Sequence, residues 1–180
     1  NGYFYGAFRA YYPFPNLDKF KIVLVLRDPR DVLTSFYFST LFNHPLSSVE
    51  VYNDRNKYAN YTIDKYVLEI APRMQKIYAD YCNNLLHREN VLFLKYEDMI
   101  EDFGPWLQRL TNFLDLKNAE EQVQQIISKT SFKVKKEDKH SFIRNVKAGD
   151  HLSKLKTETI LALNKLFQNE LEILNYPIIN

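Results

Sequence analysis

Glycine, cysteine and long apolar runs are scarce in this 180-residue chain. Its glycines, Gly2, Gly6, Gly104 and Gly149, leave no glycine-rich turn that could cradle a phosphate as a Walker loop does. One cysteine, Cys82, excludes an internal disulfide and a cysteine metal cluster, and fits a reducing compartment. The expected location is therefore cytoplasmic. The histidines His44, His87, His140 and His151 have no zinc spacing, and no carboxylate cluster of the magnesium-holding kind stands near the candidate anion residues below, so no metal is expected. No apolar run approaches the ~20 residues of a membrane span, and nothing at the front resembles a secretory signal, so a soluble chain without membrane contact is expected. Charge of either sign is not in excess: 24 basic against 22 acidic residues give +2. That balance argues against a nucleic-acid backbone as the main partner, and any anion site must be local.

What is present in quantity is core material, 46% apolar and 15% aromatic residues, enough for one sizeable domain. The most informative stretch runs from Phe20 to Ser35. Ile22 to Leu26 is apolar at every position, which suits a parallel strand covered on both faces. Arg27 stands at its carboxyl end, Asp28 can cap the helix that follows, and Pro29 fits that helix's first turn. Ligands of open α/β sheets collect beyond the carboxyl ends of strands, and Ser35, eight positions after Arg27, comes about two turns into the helix. A guanidinium and a hydroxyl could there grip one phosphate. The alternative is a solvated Arg-Asp-Pro-Arg-Asp turn whose charges pair with each other.

Along the rest of the chain, Val32 to Leu41 reads as a helix, and the polar stretch from Asn43 to about Asn60 as a mobile loop. Asp64 is placed to cap a long helix whose apolar stripe is Ile63, Val67, Ile70, Met74, Ile77, Tyr81 and Leu85. Val91 to Leu94 is a second short strand. A helix carrying Trp106, Leu107, Leu110, Phe113 and Leu114 follows, then one from about Ala119 to Ser128, a polar loop from Thr130 to Ala148, and a last helix from Thr157 to about Leu174. Strands alternating with helices indicate an α/β fold with a parallel sheet.

Three further segments, taken with the first, resemble the PAPS-dependent sulfotransferases. In that family a strand ending in Arg, with Ser eight positions later, binds the 3′-phosphate of the donor; Arg27 and Ser35 hold those places. Val91-Leu-Phe-Leu-Lys-Tyr-Glu-Asp-Met99 resembles the family's strand ending in Tyr-Glu-Asp-Met, whose tyrosine, here Tyr96, contacts the adenine. Thr130-Ser-Phe-Lys133 resembles the element in which a ring, here Phe132, stacks on the base while hydroxyls, here Thr130 and Ser131, bind around it. Phe142-Ile-Arg-Asn-Val-Lys-Ala-Gly-Asp150 resembles the loop written Phe-Met-Arg-Lys-Gly, then Gly-Asp, and makes Arg144 the second 3′-phosphate clamp. Each piece has a plainer reading: Tyr96 a half-buried surface tyrosine, Phe132 a core anchor, Arg144 a solvated cation.

The resemblance implies a three-layer fold like that of the P-loop NTPases, with a central parallel sheet flanked by helices. It implies PAPS (3′-phosphoadenosine 5′-phosphosulfate) as donor, adenosine 3′,5′-bisphosphate as product, and transfer of a sulfuryl group to a hydroxyl or amine of a small-molecule or saccharide acceptor. A P-loop kinase relative is disfavoured by the missing lysine loop and magnesium strand end.

Three departures qualify it. The family's Thr-x-Pro-Lys-Ser-Gly-Thr loop has no counterpart. With a start at Asn1 and no initiator Met, this leads to the expectation of a single sulfotransferase-like domain over residues 1–180 that lacks the amino-terminal strand and 5′-phosphosulfate loop and does not catalyse alone. The alternative is an inactive adenosine 3′,5′-bisphosphate-binding or interaction module. Second, the family's Lys-x-His-Leu-Pro stretch corresponds to Gly6-Ala-Phe-Arg9-Ala-Tyr-Tyr-Pro13, without histidine. Arg9 is a candidate for holding the sulfonate but a poor base, because its guanidinium stays protonated. His44, in Asn43-His44-Pro45, resembles a His-Pro pair of the family's acceptor pocket and is the candidate for acceptor contact or proton transfer, or else simply caps its loop. Third, Asn145 stands where the family carries a phosphate-binding lysine. The aromatic run Tyr3, Phe4, Tyr5, Phe8, Tyr11, Tyr12 and Phe14 either lines an acceptor pocket or packs.

Overall fold

The structure is a computed structural model and describes residues 3–43, 45, 49–116, 120–132, 134, 136–141 and 143–178. Two strands, β1 (Ile22–Leu26) and β2 (Val91–Lys95), pair in parallel, with Leu24 opposite Phe93. Between them run α1 (Pro29–Phe38), a π-helical turn at Ser39–Asn43, α2 (Val49–Tyr58) and α3 (Ile63–Asn84). After β2 come α4 (Tyr96–Glu101), α5 (Phe103–Phe113), α6 (Glu120–Lys129), α7 (His151–Lys154), α8 (Thr157–Leu166) and α9 (Gln168–Ile173).

Because successive strand side chains point to opposite faces, the small sheet separates two apolar clusters. Ile22, Leu24, Leu26, Val91 and Phe93 join the larger one, with Leu33 of α1, Val67 and Met74 of α3, Leu163 of α8, Phe167 between α8 and α9, and Leu171 of α9. Val23, Leu92 and Leu94 join the smaller, with Trp106 and Leu107 of α5 and Val123 of α6. Helices thus cover the sheet from both sides, the α/β three-layer arrangement expected of a P-loop-like fold. Burying a side chain such as Leu33, Leu163 or Phe167, each fully enclosed, contributes about 1.5–3 kcal/mol. Among the described residues no helix is long and apolar enough to cross a membrane.

Several expectations change in detail. The unbroken apolar run of β1 predicts cover on both faces, yet Val25 is 45% exposed between the buried Leu24 and Leu26. Helix α1 starts at Pro29, capped as expected by Asp28, whose Oδ1 accepts the Arg30 N–H at 2.9 Å, and passes at Ser39 into the π-helical turn rather than running on to Leu41. The polar stretch assigned to a loop contains α2. Its composition hides it, because what holds it is tertiary: Tyr58 is buried against Tyr61 and Tyr66, and Arg55 Nε donates to the Thr40 carbonyl at 2.9 Å. Thr62, not Asp64, caps α3 by accepting from Lys65 N–H, while Asp64 accepts the Lys156 N–H at the start of α8. The buried face of α3 is Tyr66, Val67, Ala71, Met74, Tyr78, Tyr81 and Cys82, rotated from the predicted stripe so that Ile63, Ile70 and Ile77 are only partly covered. The last predicted helix is two, α8 and α9, broken at the enclosed Phe167.

Candidate anion-binding site at the strand ends

Where β1 stops, its last groups are fixed by neutral phenols. The Tyr78 hydroxyl donates to the Arg27 carbonyl at 2.5 Å, and the Tyr176 hydroxyl donates to Glu97 Oε2 at 2.9 Å. Glu97 Oε1 in turn accepts the Asp28 N–H at 2.9 Å, joining the end of β1 to the start of α4. Burial, and then the charges of Asp28 and Glu97, push the Tyr78 phenol upward; burial and Glu97 do the same to Tyr176. Both remain protonated donors.

On this frame Arg27 and Tyr96 meet: the guanidinium lies over the ring at 4.8 Å from its centre. Arg27 Nη2 donates to the Lys147 carbonyl at 3.0 Å and faces Asp31 Oδ2 at 3.5 Å. Its Nε is buried and has no hydrogen-bond partner among the described residues. A buried donor left unpaired costs about 1–3 kcal/mol, so a ligand acceptor there would recover that energy. The Arg-Asp-Pro-Arg-Asp charges do pair with one another, but in the interior rather than in a solvated turn. Arg30 is 1% exposed on Asp28, and Asp31 is fully buried.

Arg144 is buried too, not solvated. Its guanidinium stacks on Phe38 at 4.1 Å and pairs with Glu137 and Asp150. Asn145 donates to Asp150 Oδ1 at 3.1 Å. Ser35 lies on α1 four positions after Asp31 and three before Phe38, hence on the same helical stripe. The turn 144–151 touches that stripe at both ends, at Asp31 through Gly149 and His151 and at Phe38 through Arg144. Ser35 thus shares a stripe of α1 with Asp31, which Arg27 faces, and with Phe38, on which Arg144 stacks.

The remaining predicted residues stand further out. Phe132 packs edge-on against Phe103 at 5.2 Å, and Phe103 stacks on Trp106, whose indole N–H donates to the Lys95 carbonyl beside Tyr96. Phe132 is half-buried, and this chain of rings connects it to the strand end that carries Tyr96. Thr130 Oγ1 donates to the Ile126 carbonyl at 2.7 Å, closing α6, and Ser131 is exposed. Arg9 is exposed, as are Tyr3, Phe4, Tyr5, Phe8, Tyr12 and Phe14; Tyr11 alone of that run packs on the core. His44, Lys133 and Phe142 lie outside the described residues.

Sequence reasoning missed Asp31 and His151. Asp31 Oδ1 accepts from His151 Nδ1 at 2.6 Å and from the His151 N–H at 2.9 Å, and Oδ2 accepts the Gly149 N–H at 2.8 Å. Burial pushes its carboxyl up, but the side-chain and backbone bonds from His151 and the Arg27 charge outweigh this and hold it below its ordinary value. The spacing of Arg27 and Asp31, one helical turn, was a usable signal; nothing in the sequence pairs position 31 with 151.

Comparison with known proteins gives a consistent result. The family model described as sulfotransferase domain matches residues 12–174. An amine sulfotransferase of Oryctolagus cuniculus is 24% identical over 176 residues, covering 86% of this chain and 56% of its own length. The crystal structure of mouse sulfotransferase SULT7A1 complexed with PAP superposes with a TM-score of 0.62 at 20% identity, over 84% of this chain and 58% of that one. Retinol dehydratase, in complex with androsterone and inactive cofactor PAP, superposes with a TM-score of 0.56 at 25% identity, over 87% and 48%. The chain thus spans about half the length of the relatives it matches. With the family model covering nearly all of it, this chain belongs to the sulfotransferase domain family.

Proposed function

We propose that the protein is a PAPS-dependent sulfotransferase and that residues 1–180 form one domain, which supplies the 3′-phosphoadenosine half of its donor site. The carrying observation is Arg27, held at the end of β1 over Tyr96 with a buried Nε that lacks a partner. PAPS, when bound, supplies the sulfuryl group. Arg27 and Ser35 hold the 3′-phosphate, joined by Arg144 once its guanidinium exchanges a carboxylate for the ligand, with Asn145 beside it; a planar guanidinium fits phosphate at two points. Tyr96 and Phe132 offer the adenine flat apolar faces, with Thr130 and Ser131 at its edge. On the acceptor side His44 takes the proton of a hydroxyl or amine and Arg9 holds the sulfonate. The acceptor is a small molecule or saccharide, and the lone buried Cys82 suits work in the cytoplasm.

The test is binding followed by transfer, on the full-length protein. Adenosine 3′,5′-bisphosphate should raise the melting temperature, and Arg27→Ala should weaken binding by about 2–4 kcal/mol. Sulfuryl transfer from PAPS to some member of a panel of phenols, alcohols, amines and sugars completes the reading. No stabilisation at millimolar nucleotide would overturn it, and binding without transfer to any acceptor would leave an inactive nucleotide-binding module.

A further inference from the structure

One fully buried carboxylate joins the two halves of the proposed phosphate clamp. Asp31, fully enclosed in α1, takes hydrogen bonds from the Gly149 and His151 N–H groups and from His151 Nδ1, and its Oδ2 stands 3.5 Å from Arg27 Nη2. Arg27 is further tied to the same turn by its bond to the Lys147 carbonyl. The turn also carries Arg144, which Asp150 grips one residue before His151. Asp31 therefore sets at once the direction of the first guanidinium and the height of the loop bearing the second.

We infer that Asp31 is a positioning residue for anion binding, acting through Arg27 and the 144–151 turn; this rests on the reading of the site given above. The sign of its effect separates positioning from simple charge. A carboxylate near an anion site repels the anion, so removing its charge would by itself tighten binding. If positioning dominates, removal weakens binding instead, because an amide group in place of Oδ2 neither braces Arg27 nor accepts the Gly149 N–H.

The experiment compares wild type, Asp31→Asn, Arg27→Ala and the double variant of the full-length protein. Titration with adenosine 3′,5′-bisphosphate is run well below each melting temperature, and amide exchange is measured without ligand. Asp31→Asn is expected to weaken binding about tenfold, and by a clearly smaller factor in the Arg27→Ala background, where only the route through the 144–151 turn remains, and to speed exchange at Gly149 at least tenfold. Binding that is unchanged or tighter, an equal loss in the Arg27→Ala background, or unaltered exchange would overturn the inference. If Asp31→Asn does not fold, His151→Phe, which withdraws one donor while filling the ring's volume, must speed Gly149 exchange and weaken binding about threefold; no change in either overturns the inference. Failure of wild type to bind the nucleotide would overturn the proposed function instead, and the exchange arm alone then decides whether Asp31 holds the turn.

Discussion

Arg30 grips Asp28 with two roughly parallel bonds, Nε to Oδ1 at 2.9 Å and Nη2 to Oδ2 at 2.6 Å, and its other amino group reaches Asn164 Oδ1 at 2.6 Å. Nη2 also donates to the Pro177 carbonyl at 2.9 Å, so one enclosed side chain ties the first turn of α1 to α8 and to the chain after α9. Removing one member of such a pair leaves the other charged and unpaired in the interior, a loss of about 3–5 kcal/mol. Arg30→Met keeps much of the volume and should show that loss in urea unfolding. Arg30→Lys should recover only a small part of it, because an ammonium cannot match the carboxylate at two points. A loss below about 1 kcal/mol for Met would mean that the pair is not what holds this corner.

Asp31 should make stability acid-sensitive in a definite direction. Its folded carboxyl lies below the ordinary 3.8, so over that window the unfolded chain binds more protons than the native one. The contribution is then fully present above the unfolded value and lost as pH falls through the folded value. Unfolding midpoints measured from pH 6 down to pH 2 should fall more steeply for wild type than for Asp31→Asn below about pH 4. Parallel curves would show that Asp31 does not titrate in this way.

How far the sequence foretold this molecule depends on the range of the interactions involved. The strand–cap–helix sequence from Ile22 through Asp28 and Pro29 was readable because each choice is local, a β-branched run, then a side chain closing a first turn. That Arg27 and Tyr96 stand at strand ends was also readable; that they touch follows from the parallel pairing, which sets Leu26 opposite Lys95. Helix α2 was not, because its apolar content is low and its anchor, Tyr58, finds partners only in the fold. The enclosure of Arg30, Asp31 and Arg144 was equally hidden, because the rule that such charges stay outside yields only when partners from distant segments converge. Asp31 and His151 are 120 positions apart, beyond any periodicity.

Cys82, on the buried face of α3, should be nearly inert. Burial and then the Glu170 carboxylate push its thiol up to about 11, so at pH 8 only about 0.1% is thiolate, the form that reacts. A disulfide reagent should label the folded protein at least ~100-fold more slowly than the denaturant-unfolded chain, whose thiol titrates near its ordinary value. Fast native labelling would mean that α3 opens locally or that the thiol is more exposed than its 7% accessibility indicates.

Gly149 carries a backbone angle, φ +73°, that side-chain-bearing residues rarely adopt, and its N–H is one of the donors to Asp31. Space is not the obstacle, since an added Cβ would meet only Leu152 Cδ1 at an ordinary 3.5 Å. The cost of substitution is therefore backbone strain, about 1–2 kcal/mol for alanine and less for asparagine, which tolerates the left-handed region. Urea unfolding should rank wild type above Gly149→Asn and that above Gly149→Ala. Since relieving the strain would rotate the amide away from Asp31, exchange at His151 should quicken in the same order. If Ala and Asn cost the same, the loss lies in contacts rather than in φ, and the turn's geometry is not what the glycine protects.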